Sequence, residues 1–338
     1  MSLIFGLCLP RKIYLVSDSR LSSSDGSYKD DFSKWLDLNP RLAVVVANSA
    51  YQASWTLKKI MGDIRPTAGW GWGFTELETY LRANLEKYGN EFYAETGLIS
   101  DSVSMIFGGF EKDKKLIIES ARLGDVMSVP VKAAGEGVMV NQNVDMTIIN
   151  AFSKVLNEAA AKGQKVGAGT EFEVDLPRPR VLAVTIRPTV QGTEVVFEDA
   201  DPYDGLVFNP NFRTERVKLP AELVGQLEYR DRTGESGDDG WIYAETAEII
   251  KYVKRLTKEK NWDTVGGTIL PLLVTPDGSG FATGKYVYKS PEDVTTHGGL
   301  TEVDGKPHYY DEDGSIKPYR FVYEYLDNKG SKKSHAKI

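Results

Sequence analysis

The chain has 338 residues, of which 26% are charged and 41% hydrophobic, and its formal net charge is −7. That balance describes a globular protein of one large domain or two ordinary ones, and the acidic excess argues against a nucleic-acid partner, which needs clustered Lys and Arg. A single cysteine, Cys8, excludes an internal disulfide framework and any cysteine-rich metal site.

The chain opens on two strand-length runs, Ser2 to Leu9 and Lys12 to Ser17, with Pro10-Arg11 between them. Residues 21–30 form a polar turn region. Trp35 to Leu38, the turn Asn39-Pro40 and the run Leu42 to Ala47 give a third and a fourth strand. The fourth is apolar on both faces, so it is expected to be covered on both sides. Ala50, Ala53, Leu57, Ile60 and Met61 recur at helical spacing. Thr75-Glu76-Leu77-Glu78 reads as a capping box that opens a helix carrying Leu77, Leu81, Leu85 and Tyr88 on one face.

Three further strands are expected around Met105, Ile117 and Met127, ending at Gly135-Glu136-Gly137. A helix follows through Ile148, Phe152, Val155 and Ala159. Residues 164–240, rich in Pro, Gly and strand formers, read as a β-rich insertion. A helix through Ile242, Ile249, Val253 and Leu256 then leads past Gly266-Gly267 into the strand Ile269 to Val274. Strands, helices, strands, helices and a strand in that order predict an α+β protein of two sheets packed face to face with helices outside. The domain reading is a core over 1–275 and a β-patterned, Tyr-rich extension over 276–338 with a basic tail.

The chemistry-bearing residues narrow quickly. Histidines occur only at 297, 308 and 335, so the first 275 residues offer no imidazole base. No HExxH, phosphate-binding glycine loop or CxxC is present; no cofactor and no metal are expected. What remains is a system that needs no histidine, an N-terminal residue that uses its own α-amine as base; separately, Ser2, Asp18 and Lys34 lie at equal intervals of 16 residues. If Met1 is removed, Ser2 carries a hydroxyl beside a free amine, a nucleophile with its own base. Read singly, Ser2 is the small residue after an initiator Met, Asp18 and Arg20 a turn-stabilising pair, and Lys34 a lysine at a strand edge.

Three stretches together resemble a proteasome β-type subunit: SLIFGLCLPRKIYLVSDSRL, SKWLDLNPRLAVVVA and FGGFEKDKKLIIESARLGDVMSVPVKAAGEG. That family has a threonine as its first mature residue, Asp-Ser-Arg at the end of its second strand and a lysine at the start of its third. Ser2, Asp18-Ser19-Arg20 and Lys34 fall on these positions without a gap. The resemblance covers about 2–140 and 241–275. It implies the N-terminal-nucleophile (Ntn) hydrolase fold, a four-layer αββα sandwich, and hydrolysis of peptide or amide bonds. Ser2 would be the nucleophile, Lys34 and Asp18 its charged support, and the backbone N–H of Asn48 the oxyanion donor, with Arg20, Glu136 and Asp263 in support. It also implies a peptide or protein substrate, self-association into a ring or related assembly, and an ATPase unfoldase as a partner.

The sequence departs from the family at Asn48, where glycine is usual, and at Glu136, which replaces a serine. It departs again at Trp262, where an aspartate is expected one place before Asp263, and at Val265, which replaces another serine. These departures leave open a non-catalytic assembly subunit on the same fold, and capture of an acyl-enzyme by an amine leaves open a ligase. No apolar run is long enough to span a membrane and the first residues lack the form of a signal peptide, so the cytoplasm is the expected compartment.

Overall fold

A computed structural model describes residues 2–9, 12–23, 26–39, 41–64, 71–99, 102–111, 114–120, 131–133, 136–138, 157–163, 170–176, 178–200, 203–209, 213–233, 239–262, 265–276, 278–281, 300–303, 306–310, 315–318 and 320–321. Within 114–138, 170–176, 209–213, 228–244, 278–307, 309–310 and 320–321 only the backbone is described. The protein is mixed α+β and mostly sheet.

The elements that frame the site are β1 (Ile4–Leu9), β2 (Lys12–Asp18), β3 (Phe32–Ser33), β4 (Trp35–Asn39), β5 (Leu42–Asn48), α1 (Ala50–Ile64), α2 (Phe74–Thr96) and β6 (Val103–Phe110). They continue as β7 (Pro179–Thr189), β8 (Gly192–Asp199), β9 (Asp204–Asn209), β10 (Arg213–Lys218), α3 (Ala221–Thr233), α4 (Asp239–Glu259), β11 (Ile269–Thr275), β12 (Gly278–Phe281) and β13 (Arg320–Phe321). A six-stranded sheet runs β10-β9-β1-β2-β11-β12 and a five-stranded sheet runs β8-β7-β6-β5-β4. Their neighbours all pair antiparallel. Smaller sheets form from 136–138, 131–133, 114–120 and 170–176, and from 300–303, 306–310 and 316–318.

Strand alternation explains why β1 is a continuous apolar run: each face meets a different partner. Ile4 and Cys8, with Ile13 and Leu15 of β2, face Val45, Ala47, Ile106, Val181 and Ala183 of the other sheet. The opposite face, Phe5, Leu7 and Leu9 with Tyr14 and Val16, packs against Leu223 and Leu227 of α3 and Ile249, Val253 and Leu256 of α4. The outer face of the five-stranded sheet, including Val44, Val46, Met105 and Val184, is covered by Leu57 and Ile60 of α1 and Leu77, Leu81 and Leu85 of α2. Each such side chain, when fully buried, contributes about 1.5–3 kcal/mol. The sheets approach closely at Gly6, where an added Cβ would lie 2.6 Å from Ile106 and 2.8 Å from Val181.

Residues 164–240 do not stand apart from these sheets. β7 pairs with β6 over eight positions from Pro179 to Ile186, and β9 pairs with β1 through Ile4↔Phe208 and its neighbours. The same stretch supplies a helix, α3, that the strand-rich composition concealed. Leu223 and Leu227 are apolar anchors only because the sheet beneath them is apolar on its outer face. The strand expected around Met127 and most of the helix expected over 148–159 lie outside the described residues.

The start of α2 also differs from the expected capping box. Its N-cap is Gly73, whose N–H donates to Glu76 Oε2 at 3.0 Å. Thr75 instead donates, through both its N–H and its hydroxyl, to Glu111. Away from the termini, α4 is fastened to β2 by a buried cluster. Lys12 Nζ lies 2.9 Å from Glu245 Oε2, and the Tyr14 hydroxyl donates to Glu245 Oε1 at 2.6 Å.

Candidate functional site

The β1–β2 hairpin sets Ile4 opposite Ser17, so Leu3 and Asp18 close its open end. Asp18 N–H donates to Leu3 O at 3.2 Å, and Leu3 N–H donates to Asp18 Oδ1 at 2.9 Å. Ser2 therefore lies just beyond the aspartate. Lys34 arrives from the other sheet: its carbonyl accepts from Val46 N–H at 2.8 Å, which registers it on β5. Its ammonium bridges the two sheets, donating to Asp18 Oδ1 at 2.6 Å and to Ser2 Oγ at 2.9 Å. Three residues separated by equal intervals in sequence thus share one hydrogen-bonded centre. The centre is enclosed: Ser2 is 5% exposed, Lys34 2% and Asp18 0%.

Burial pushes the Lys34 ammonium below the ordinary lysine value of 10.5, and Asp18 opposes that shift by attraction and hydrogen bonding. A lowered lysine gives up its proton at a lower pH than an exposed one. The shift also links stability to pH. Between the lowered folded value and the unfolded one, the unfolded chain binds a proton that the folded chain does not, so folding stability rises with pH across that window. Below the folded value the burial cost is present in full. Thermal unfolding scans through the alkaline range are expected to show wild type gaining stability, relative to Lys34→Met, as pH rises toward 10.5.

The turn after Asp18 is locked by side chains. Ser19 Oγ donates to Asp30 O at 2.7 Å and accepts from Thr268 N–H at 2.8 Å. Arg20 forks onto Asp30 at 2.8 and 2.9 Å and stacks over the Tyr28 ring at 3.9 Å, and its guanidinium is held above the usual range by that carboxylate. Gly266 and Gly267 lie directly against this pair. A Cβ on Gly266 would meet the Arg20 guanidinium at 2.1 Å, and one on Gly267 would meet Ser19 Oγ at 2.3 Å. The clamp joins 18–20, 30 and 266–268, four residues upstream of Lys34. Several buried polar atoms near it, Asp18 Oδ2 and the hydroxyls of Ser17 and Ser33, make no hydrogen bond among the described residues.

Asn48 ends β5 with a φ of 71°, in the left-handed region that favours glycine and that Asn tolerates best among the others. Its Nδ2 reaches Ser102 Oγ at 3.4 Å while its Oδ1 is buried without a partner among the described residues. Asn48→Gly is expected to stay within about 0.5 kcal/mol of wild type, and Asn48→Val to cost about 1–3 kcal/mol through strain; urea unfolding distinguishes them.

The remaining residues expected at the site are not brought to it by described contacts. Arg20 pairs with Asp30, so its support of the centre is indirect. Glu136 lies in a short hairpin opposite Ala133, with its side chain not described. Asp263 lies outside the described residues; its neighbour Trp262 is an apolar anchor beneath α4. Sequence reading missed Asp30, the packing role of Gly266-Gly267 and the approach of β13 to β3. Only the glycine pair carried a local signal. Among the described residues, no group of three or more His, Cys, Asp or Glu is placed to hold a metal ion, and no helix is long and apolar enough to cross a membrane.

No protein-family model matches the chain, and no curated protein does. Among solved structures the chain is similar to the "Anbu (Gly-1) mutant" from Hyphomicrobium sp. strain MC1. The identity is 12%, the match covers 88% of this chain and 91% of that one, and the TM-score is 0.35. A likeness that loose adds nothing to the argument, which stands on the contacts among Ser2, Asp18 and Lys34.

Proposed function

We propose that this chain is an Ntn peptidase or amidase of proteasome β-subunit type on a four-layer αββα frame. The carrying observation is the buried bridge from Lys34 Nζ to both Ser2 Oγ and Asp18 Oδ1. Removal of Met1 would free the Ser2 amine, whose ordinary pKa near ~8 leaves part of it neutral to accept a proton. Ser2 Oγ then attacks the substrate carbonyl and its proton passes to the amine. Lys34 stabilises charge growing on the oxygen, while Asp18 holds Lys34 in place. The Asn48 backbone N–H donates to the oxyanion; collapse of the adduct then breaks the C–N bond as the α-ammonium returns its proton to the departing amine, and water, deprotonated by the freed amine, hydrolyses the acyl–Ser2 ester. Arg20 acts through the Asp30 clamp; Glu136 and Asp263 are proposed neighbours of the terminal amine. Peptides or proteins are the proposed substrates, a homo-oligomer the proposed assembly, an ATPase unfoldase its proposed feeder, and the cytoplasm its compartment.

The test is the reaction of the purified protein with a serine-directed acylating probe, with Ser2→Ala as control. Turnover of fluorogenic peptides lost in Ser2→Ala supports the reading; equal signals from both proteins contradict it. The enclosure of Ser2 and Lys34 favours one second reading, an inert assembly subunit that keeps the three residues as a packing motif.

A further inference from the structure

The C-terminal extension reaches the segment that precedes Lys34. β13 runs parallel to β3, with Arg320 beside Phe32 and Phe321 beside Ser33. Ser33 is bonded to Lys34, the residue that bridges Ser2 and Asp18. On its other side β3 is tied to the turn after β2 by Phe32 N–H to Ser19 O at 3.1 Å. Without β13, this two-residue strand would present an open edge one residue from Lys34. Open edges accept extended polypeptide through main-chain hydrogen bonds.

A second observation bears on what this pairing does. A carbonyl must come within about 3–3.5 Å of an attacking oxygen to react, and Ser2, Lys34 and Asp18 are 5%, 2% and 0% exposed. The centre is closed in the chain that still carries Met1. The hairpin β1–β2 is held by a six-position ladder. The turns at 18–20 and 266–268 are held by the Ser19, Arg20 and Asp30 hydrogen bonds. β13 is joined by two paired positions, and hydrogen bonds of this kind contribute about 0.5–1.5 kcal/mol each.

We propose that the Phe32–Ser33 edge is a docking edge for an extended peptide, filled in cis by Arg320–Phe321, and that release of this strand opens the approach to Lys34 and Ser2. The parallel register runs the occupant toward the Lys34 end of the edge. The inference deepens the peptidase reading by naming what occupies the approach to its site, but its primary readout does not depend on Ser2 being reactive.

The experiment uses the full chain. In Ser33→Cys/Phe321→Cys, the paired positions are joined under oxidising conditions and released by reductant, so one polypeptide serves as its own control. Exposure is read by peptide mapping of Lys34 after treatment with an amine-acetylating reagent. The expected result is at least a ten-fold slower acetylation of Lys34 when oxidised than when reduced. A second variant, Arg320→Pro/Phe321→Pro, removes both N–H donors of β13 and is expected to acetylate Lys34 at least ten-fold faster than wild type at an unchanged unfolding midpoint. Equal Lys34 rates in all forms overturn the proposal, as does failure of the two cysteines to join. Gated Lys34 exposure with no acylation of Ser2 supports the docking edge and overturns the peptidase reading. Ser2 acylation at one rate throughout does the reverse.

Discussion

Lys34→Met is expected to destabilise the fold by about 3–5 kcal/mol, the range for removing one partner of a buried ion pair. Asp18 is fully enclosed, and its Oδ1 takes hydrogen bonds from Lys34 Nζ and Leu3 N–H while its Oδ2 has no partner among the described residues. Without the ammonium, a buried carboxylate is left without its counter-ion. The double variant Asp18→Asn/Lys34→Met removes both charges and is expected to recover most of that loss, because a neutral amide and a thioether need no counter-ion. Activity separates from stability in this cycle. Single and double variants alike are expected to lose at least about 10²–10³-fold in turnover, the scale for removing one preorganised donor to a developing charge. Denaturant unfolding and peptide turnover measured on the same preparations check both halves. A Lys34→Met protein as stable as wild type would mean that the pair does not exist in solution.

Gly267→Val is expected to cost about 2–4 kcal/mol through backbone strain and overpacking together. Gly267 has a φ of 72°, and its Cβ position lies 2.3 Å from Ser19 Oγ and 2.9 Å from Asp30 Cβ. A β-branched residue there must displace the clamp that precedes Lys34. Misplacement of about 1 Å at a reacting centre lowers rates by around 10²-fold, so turnover is expected to fall with stability. Gly62→Ala is the matched control. Gly62 lies in α1 with nothing within 4 Å of its Cβ position, and the substitution is expected to be neutral or stabilising by up to about 1 kcal/mol. Thermal unfolding of the two variants beside wild type reads the difference.

Much of this frame is written locally. β1, β2, β4 and β5 follow from apolar runs broken at Pro10 and Pro40, and α1 and α2 follow from 3.6-residue periodicity. The proximity of Ser2 and Asp18 was legible for the same reason: two short strands in antiparallel register leave few places for Asp18 relative to Ser2. Long-range pairing was not legible. β7 and β9 join sheets begun more than a hundred residues earlier, and nothing in a strand-forming run names its partner. The helix is capped two residues earlier than the Thr75–Glu78 reading placed it. Glu76 caps Gly73, while Thr75 turns to Glu111, 36 residues away. Asp30 lay hidden in a polar turn, where its fork onto Arg20 depends on the ring of Tyr28 and the missing side chains of Gly266 and Gly267.

The central claim is that Ser2, freed of Met1, is a nucleophile held by Lys34 and Asp18. The measurement that tests it most directly is intact mass followed by peptide mapping of the purified protein after exposure to a serine-directed acylating probe. The expected product is a chain that begins at Ser2 and carries one adduct on that residue, absent from Ser2→Ala and strongly reduced in Lys34→Met. A chain that retains Met1, or an adduct that forms equally in Ser2→Ala, would contradict it.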